Sequence, residues 1–249
     1  VLTEERHKYI LDALAKGNIL KLQDLVELTG SSESTIRRDL STLEQGGFLV
    51  RVHGGAKRSY EVSAEDRMDE KTSKNVHDKQ RIAAKAARMI SDGDVIFLDA
   101  GSTTYEMIPL LKGRNITVVT NGVPHASLLT DMQVETILIG GKIKMETKAV
   151  IGPTSQMQMQ SYRFSKAFLG INGIDKQFGF TTPDAEEAAI KRIAIENSAQ
   201  SFVVADASKF KKVSFIKVCD IEDCSIISYN VSTEIKKNLE DSTNIWEGE

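Results

Sequence analysis

A chain of 249 residues exceeds a usual single domain and has enough material for two separate cores. Its net charge of −3 excludes a protein coated in basic residues, although a local basic patch is still compatible with nucleic-acid binding. No apolar run approaches the roughly 20 residues of a membrane span, and Glu4, Glu5 and Arg6 lead into an amphipathic helix rather than a secretion signal. The expected location is the cytoplasm.

Leu22, Leu25 and Val26 form an apolar face on a helix that Thr29-Gly30 ends, since glycine readily takes the left-handed conformation of a helix terminus. A second helix follows in Ser32–Leu40. At about 100° per residue its Ile36 and Leu40, with Leu43, fall on one stripe, while Ser34, Arg37, Arg38 and Ser41 cluster opposite. One face packs; the other presents arginines and hydroxyls to an anionic, hydrogen-bonding surface. Helix, glycine turn, serine-rich start and exposed arginines predict a helix-turn-helix, with Ser34 and Thr35 at the start of the recognition helix. The run Phe48–His53, bounded by Gly46-Gly47 and Gly54-Gly55, predicts a β-wing. Arg51 and His53 lie within it, and Lys57 and Arg58 supply a basic tip along the phosphate backbone. An arginine pair on a helix is by itself also an ordinary solvated face.

Residues 59–76 are crowded with charge and read as a linker, which separates a DNA-binding domain over 1–58 from a second domain over 77–249. Beyond it, apolar runs at Val95–Leu98, Ile116–Val119, Thr136–Ile139, Lys166–Leu169 and Phe202–Ala205 alternate with helical periodicity near 82–90, 104–111 and 184–197. Such uniformly apolar strands predict a doubly wound, mostly parallel α/β sheet with helices on both faces. Ligands of these sheets bind beyond the carboxyl ends of the strands, and there the chain places 99–104, 120–122, 140–142, 170–172 and 206–209, all polar or glycine-rich.

Gly101, Ser102, Thr103 and Thr104 suit a phosphate, because glycine allows close backbone approach and the hydroxyls stand beside the free N–H groups of a helix start. The same residues also suit a plain helix cap. The GxGxxG and GxxxxGK[ST] patterns are absent, which argues against NAD and ATP, and no cofactor is expected. Lys209 is placed either to pair with a phosphate or as one surface lysine among Lys211 and Lys212. Glu187 is a candidate for the effector, and with Lys191 four residues on it is equally able simply to pair with that lysine. Asp99 and Asp175 are candidates for sugar hydroxyls, although aspartates are frequent at turns. Cys219 and Cys224 have no histidine companions, since His7, His53, His77 and His125 are scattered; no metal site is expected, and Cys224 reads as a small apolar strand residue.

The residues from Arg6, Ile10 and Leu14 through Ser32, Thr35–Leu40 and Arg51–Ala56 resemble the amino-terminal signature of the DeoR family of bacterial repressors. The resemblance continues through Asp99–Thr104, Thr120-Asn121, Gly140-Gly141 and Asp206–Phe210, and so covers nearly the whole chain. Ser32–Glu44 and Ser73–Lys79 are similar to fructose-operon repressors within that family. The resemblance implies a carboxyl-terminal domain of the fold seen in sugar-phosphate isomerases, serving as a sensor. Gly101, Ser102, Thr103, Thr104, Asn121, Gly141 and Lys209 match family positions lining its effector pocket.

The leading expectation is a repressor of a sugar-utilisation operon that binds operator DNA as a homo-oligomer, a dimer or tetramer, and is released by a sugar phosphate, with fructose 1-phosphate the first candidate. The competing class is a sugar-phosphate isomerase or deaminase carrying a DNA-binding module. Asp99, Asp175, Glu187 and Asp206 offer carboxylates for it, but no spacing singles out a base.

Overall fold

The computed structural model describes residues 2–16, 19–45, 48–58 and 68–248. The chain divides into two units, Val1–Glu61 and Val62–Glu249. Gly46-Gly47, residues 59–67 of the charged connection and the Arg58 side chain lie outside the described residues.

The first unit comprises α1 (Thr3–Lys16), β1 (Ile19–Lys21), α2 (Leu22–Thr29), α3 (Glu33–Gln45), β2 (Leu49–Val52) and β3 (Gly55–Arg58). Helix α2 closes on Gly30 at φ 62°, and Ser32 Oγ accepts the Thr35 N–H at 3.3 Å to open α3. Ile36, Leu40 and Leu43 bury against Ile10, Leu14 and Leu25, as their helical period requires. One charged residue joins that buried side. Asp39 accepts from Arg6 Nε at 2.5 Å and Nη2 at 3.0 Å, and lies 3.2 Å from His7 Nε2, which ties α1 to α3. Burial pushes the Asp39 carboxyl up, but hydrogen bonds from Arg6 and His7, with their charges, outweigh it and hold it below its ordinary value.

Strands β2 and β3 pair as an antiparallel wing. Its tip is His53-Gly54, whereas Lys57 sits within β3, opposite Val50, so the expected placement of Lys57 at the tip is corrected. Strand β1 adds a third, antiparallel strand to β3. Three residues are too short to show a period, so this strand leaves no sequence signal. A Cβ on Gly55 would lie 2.0 Å from the Leu20 carbonyl oxygen, so glycine is what lets β1 approach.

The second unit begins with α4 (Met68–Ser73) and α5 (Val76–Arg88), then runs through β4 (Val95–Leu98), α6 (Ser102–Tyr105), β5 (Thr117–Thr120), α7 (Val123–Asp131), β6 (Glu135–Leu138), β7 (Lys142–Ile143), β8 (Val150–Ile151) and α8 (Pro153–Ser161). It continues with β9 (Phe164–Leu169), β10 (Gly173–Asp175), β11 (Gly179–Thr182), α9 (Ala185–Glu196), β12 (Ser198–Val204), β13 (Ile216–Cys219), β14 (Ser225–Ser228), α10 (Thr233–Leu239) and β15 (Ile245–Glu247). The helix expected over 104–111 is two short pieces, α6 and a 3-10 turn at Ile108–Leu111 that opens on Pro109. The charged stretch read as a linker becomes helix at Met68, which is buried, so its later part belongs to this unit.

Seven strands form one sheet in the order β15-β14-β12-β9-β4-β5-β6, and every pairing within it is parallel. Successive side chains feed two cores on opposite faces. Phe97, Ala167, Leu169 and Val203 enter one; Ile96, Leu98, Phe168, Phe202 and Val204 enter the other with Ile82, Ala83 and Ala86 of α5. Cys224, just before β14 rather than within it, is buried in the first core, and its Sγ lies 4.0 Å from that of Cys219. Chain order runs outward in both directions from the neighbours β4 and β9, and that reversal opens a crevice at their carboxyl ends.

Candidate functional site

A cavity of about 310 Å³ occupies that crevice. Its wall includes Asp99–Thr103 after β4, Gly170–Asn172 after β9, and Ala205, Asp206, Ser208 and Lys209 after β12. Helix α9 contributes Glu187 and Lys191, and the α4–α5 segment contributes Met68, Lys71, Lys74, Asn75 and Lys79. Of the sequence-derived effector residues, Asp99, Gly101, Ser102, Thr103, Glu187 and Lys209 are therefore brought together.

The remaining four, Thr104, Asn121, Gly141 and Asp175, stand elsewhere. Thr104 is fully buried, and its Oγ1 accepts the Gly101 N–H at 3.0 Å, so it shapes the loop from behind. Asn121 Oδ1 accepts the Ala100 N–H at 2.8 Å, bracing the same loop rather than lining the cavity. Gly141 has φ 152°, and a Cβ there would lie 2.2 Å from Ser155 Oγ, so it serves close packing beyond β6. Strands β5 and β6 lie on the far side of β4 from the crevice, which is why their loops do not reach it. Asp175 Oδ1 accepts from the N–H groups of Gln177 and Phe178, at 2.9 and 3.0 Å, and shapes the β10–β11 turn.

Among the described residues, six lysines and three carboxylates line the cavity, Lys71, Lys74, Lys79, Lys191, Lys209 and Lys212 against Asp99, Glu187 and Asp206, a surplus of three positive charges. Lys191 donates to Asp99 Oδ2, and both are buried. Glu187 accepts from Thr147 Oγ1 at 2.7 Å and lies 3.1 Å from the Lys144 ammonium, so Glu187 and Lys191 each have a partner outside α9. Asp206 accepts from the Ser208 N–H at 2.9 Å and Asn75 Nδ2 at 3.1 Å. Burial raises the Asp206 carboxyl, but the Ser208 and Asn75 hydrogen bonds and the Lys209 charge hold it below its usual range. Lys79 is buried, with its ammonium donating to the Lys71 carbonyl. Burial, reinforced by Lys209 and Lys71, keeps its pKa below the ordinary lysine value despite Asp206.

Behind the 99–104 loop sits His125, 1% exposed. Its Nε2 lies 3.0 Å from the Gly101 carbonyl and 3.1 Å from Thr104 Oγ1. Burial, outweighing the pull of Asp99 and the Gly101 carbonyl, lowers its pKa to about 4, so the ring is neutral near pH 7. A proton on Nε2 toward Gly101 leaves Nδ1 as a buried acceptor with no partner among the described residues.

Sequence reasoning missed Lys71, Lys74, Lys79 and Lys191 as cavity residues. Lys79 had a signal, since it falls on the helical stripe of Ile82, Ala83 and Ala86. Lys71 and Lys74 were hidden in a segment whose charge reads as solvent-facing.

On the first unit, Ser34, Arg37, Arg38, Arg51 and His53 are exposed and Thr35 is half-buried. Arg51 Nη1 donates to Ser41 Oγ at 2.7 Å, joining the wing to α3. Arg37 is held by Glu33 four residues earlier, at 2.5 Å. An exposed helix face and an adjoining wing thus carry arginines from both elements.

Residues 6–61 match the DeoR-like helix-turn-helix domain, and residues 74–229 match the DeoR C terminal sensor domain. The chain belongs to the DeoR family. It is 47% identical to the "uncharacterized HTH-type transcriptional regulator FruR" of Bacillus subtilis, over 98% of this chain and 97% of that protein. It is 35% identical to the HTH-type transcriptional regulator GlpR of Haloferax volcanii, over 91% and 89% of the two chains. The lactose phosphotransferase system repressor of Lactococcus lactis is 34% identical over 84% of each. Among solved structures, ribose 5-phosphate isomerase A of Neisseria gonorrhoeae aligns at TM-score 0.41 and 16% identity, covering 54% of this chain and 53% of that one. The DeoR-family chain is a DNA-binding transcriptional regulator. None of its described helices is long and apolar enough to cross a membrane.

Proposed function

We propose that this DeoR-family protein represses a sugar-utilisation operon, fructose being the first candidate, and leaves its operator when a sugar phosphate fills the cavity. The observation that carries this reading is the surplus of lysines around a crevice of small-ligand size at the sheet's switch point. A phosphate of about −2 charge near pH 7 offsets that surplus. Lys79 and Lys209 are its ligands in this reading, with Gly101–Thr103 offering backbone and hydroxyl donors. Asn172, Thr147 and Asp206 supply the polar groups for sugar hydroxyls.

The relatives favour a sensor over an enzyme, since those that match most of this chain are named transcriptional regulators and repressors. In the cavity, Asp99, Glu187 and Asp206 accept hydrogen bonds or pair with lysine and so brace its wall. The release route is short in sequence. Helix α4, the first described element after the connection to the DNA-binding unit, is itself a cavity wall, held by the Lys79–Lys71 contact, and an anion drawing on Lys79 competes with that contact. Operator and effector then weaken each other by the same factor.

A panel of fructose 1-phosphate, tagatose 6-phosphate and other sugar phosphates, scored by release from the DNA upstream of the chain's own gene, tests the reading. Release by one member at micromolar to millimolar concentration is expected, without turnover of it. Catalytic conversion of a panel member would establish the enzyme class instead.

A further inference from the structure

Strand β6 is an edge of the seven-stranded sheet, and its exposure departs from what a covered parallel sheet provides. Ile137 and Leu138 point to opposite faces, yet are 39% and 44% exposed. More exposed apolar surface adjoins them along the chain in Ile143, Met145 and Met157, and Gln158 next to Met157 holds the Gly140 N–H at 2.6 Å. Edge strands are normally blunted by charge, proline or a covering element. Only Glu135 of the four β6 residues is charged.

The backbone register defines what this edge offers. The Ile139 N–H donates to the Thr120 carbonyl of β5, so by the alternation of a strand the groups of Ile137 and Glu135 also face β5. Thr136 and Leu138 therefore turn their N–H and C=O groups to the open side. Two open residues flanking one closed residue form a self-complementary set about a two-fold axis through Ile137. Antiparallel pairing with a second copy places Thr136 against the partner's Leu138, exchanging two hydrogen bonds, and Leu138 against the partner's Thr136, exchanging two more. Ile137 then meets its own counterpart as the closely spaced non-hydrogen-bonded pair.

Charge selects the same arrangement. The amino end of β6 carries exposed Glu135 and follows exposed Asp131 at the end of α7, and the carboxyl end leads to exposed Lys142. Antiparallel pairing sets the acidic end of each copy beside the basic end of the other, whereas a parallel arrangement would align like with like.

The geometry points to β6 as the homodimerisation edge of this protein, with two copies joined into a continuous sheet about a two-fold axis at Ile137. This inference rests on the reading that the regulator acts as a homo-oligomer, and it adds the surface and register. Full-length wild type, Ile137→Lys and, on the opposite edge, Trp246→Lys are compared by sedimentation. The expected result is a dimer for wild type and Trp246→Lys, and a monomer for Ile137→Lys whose circular dichroism spectrum matches that of wild type, since like charges would face each other across the axis.

An Ile137→Cys variant in a Cys219→Ser, Cys224→Ala background gives an independent reading. A short bis-maleimide is expected to link it into covalent dimers, and Trp246→Cys in the same background is not. A wild-type monomer would sink the homo-oligomer reading itself, with the edge then covered by another protein or by none. A wild-type dimer that survives Ile137→Lys, or fails to cross-link at Ile137→Cys, would overturn only the β6 assignment.

Discussion

The Lys191 ammonium donates to the Asp99 carboxylate within the cavity wall, joining two residues 92 positions apart in sequence. Asp99 also accepts the Gly170 N–H at 3.0 Å, so one carboxylate binds together the ends of β4 and β9 and helix α9. Removing one partner of a buried pair leaves the other charge uncompensated, at a cost of about 3–5 kcal/mol. Lys191→Met is therefore expected to destabilise the sensor unit by that order, and adding Asp99→Asn should recover more than half of the loss. Denaturant unfolding of wild type and the two variants checks this; a Lys191→Met protein as stable as wild type would show that the pair contributes little.

The DNA interface is tested by Arg37→Ala and Arg38→Ala. A lost base-reading contact should cost about 1–3 kcal/mol and relax sequence preference, whereas a lost phosphate contact should reduce the salt slope by about one. Arg37 must leave Glu33 to reach DNA, so Glu33→Ala should leave binding unchanged or strengthen it. Operator titrations at several salt concentrations separate these outcomes. Normal binding by a folded double variant would place the interface elsewhere.

Lys209→Ala should hold operator as tightly as wild type and respond poorly to effector. A charge-assisted hydrogen bond of about 1.5–3 kcal/mol corresponds to roughly a 10- to 150-fold higher effector concentration for release. Lys79→Gln should act in the same direction. Its ammonium is held below the ordinary lysine pKa by burial and by Lys209 and Lys71, and a bound dianion raises it again. Effector binding should thus take up protons, and affinity should fall as pH rises through the lowered pKa of the free protein. Calorimetry in buffers of different ionisation enthalpy measures that uptake, and Lys79→Gln should abolish it.

His125 makes a prediction on the acidic side. Its folded pKa of about 4 lies below the unfolded value of 6.5, so the unfolded chain takes the proton first. Above pH 6.5 the ring is neutral in both states and adds no pH dependence, and stability is lost as pH falls from 6.5 toward 4, by about 3 kcal/mol in the limit. His125→Asn should flatten unfolding stability against pH between 6.5 and 5, above the range where carboxylates protonate. An unchanged slope would mean that the buried ring is not the titrating group.

Two kinds of information separate cleanly here. The recognition helix was legible because it is local: a 3.6-residue period sorts Ile36 and Leu40 inward and Arg37 and Arg38 outward without reference to the rest of the chain. The parallel sheet was legible because a strand covered on both faces must be apolar throughout, as Val95–Leu98 is. Even Lys79 lay within reach, on a stripe shared with Ile82 and Ala86.

The strand order decided what periodicity could not. All five rim segments follow strands and look alike in sequence, yet only those after β4, β9 and β12 face the cavity, because the crevice opens where the winding reverses and β5 and β6 lie beyond it. The same long-range pairing gave Lys191 the partner Asp99, and turned the later part of a charged stretch read as linker into a cavity wall. Local patterning in this chain determines which residues form helices and strands and which sides they bury. Which side chains meet across 92 positions is set by the winding of the sheet, since non-local contacts carry no periodicity of their own.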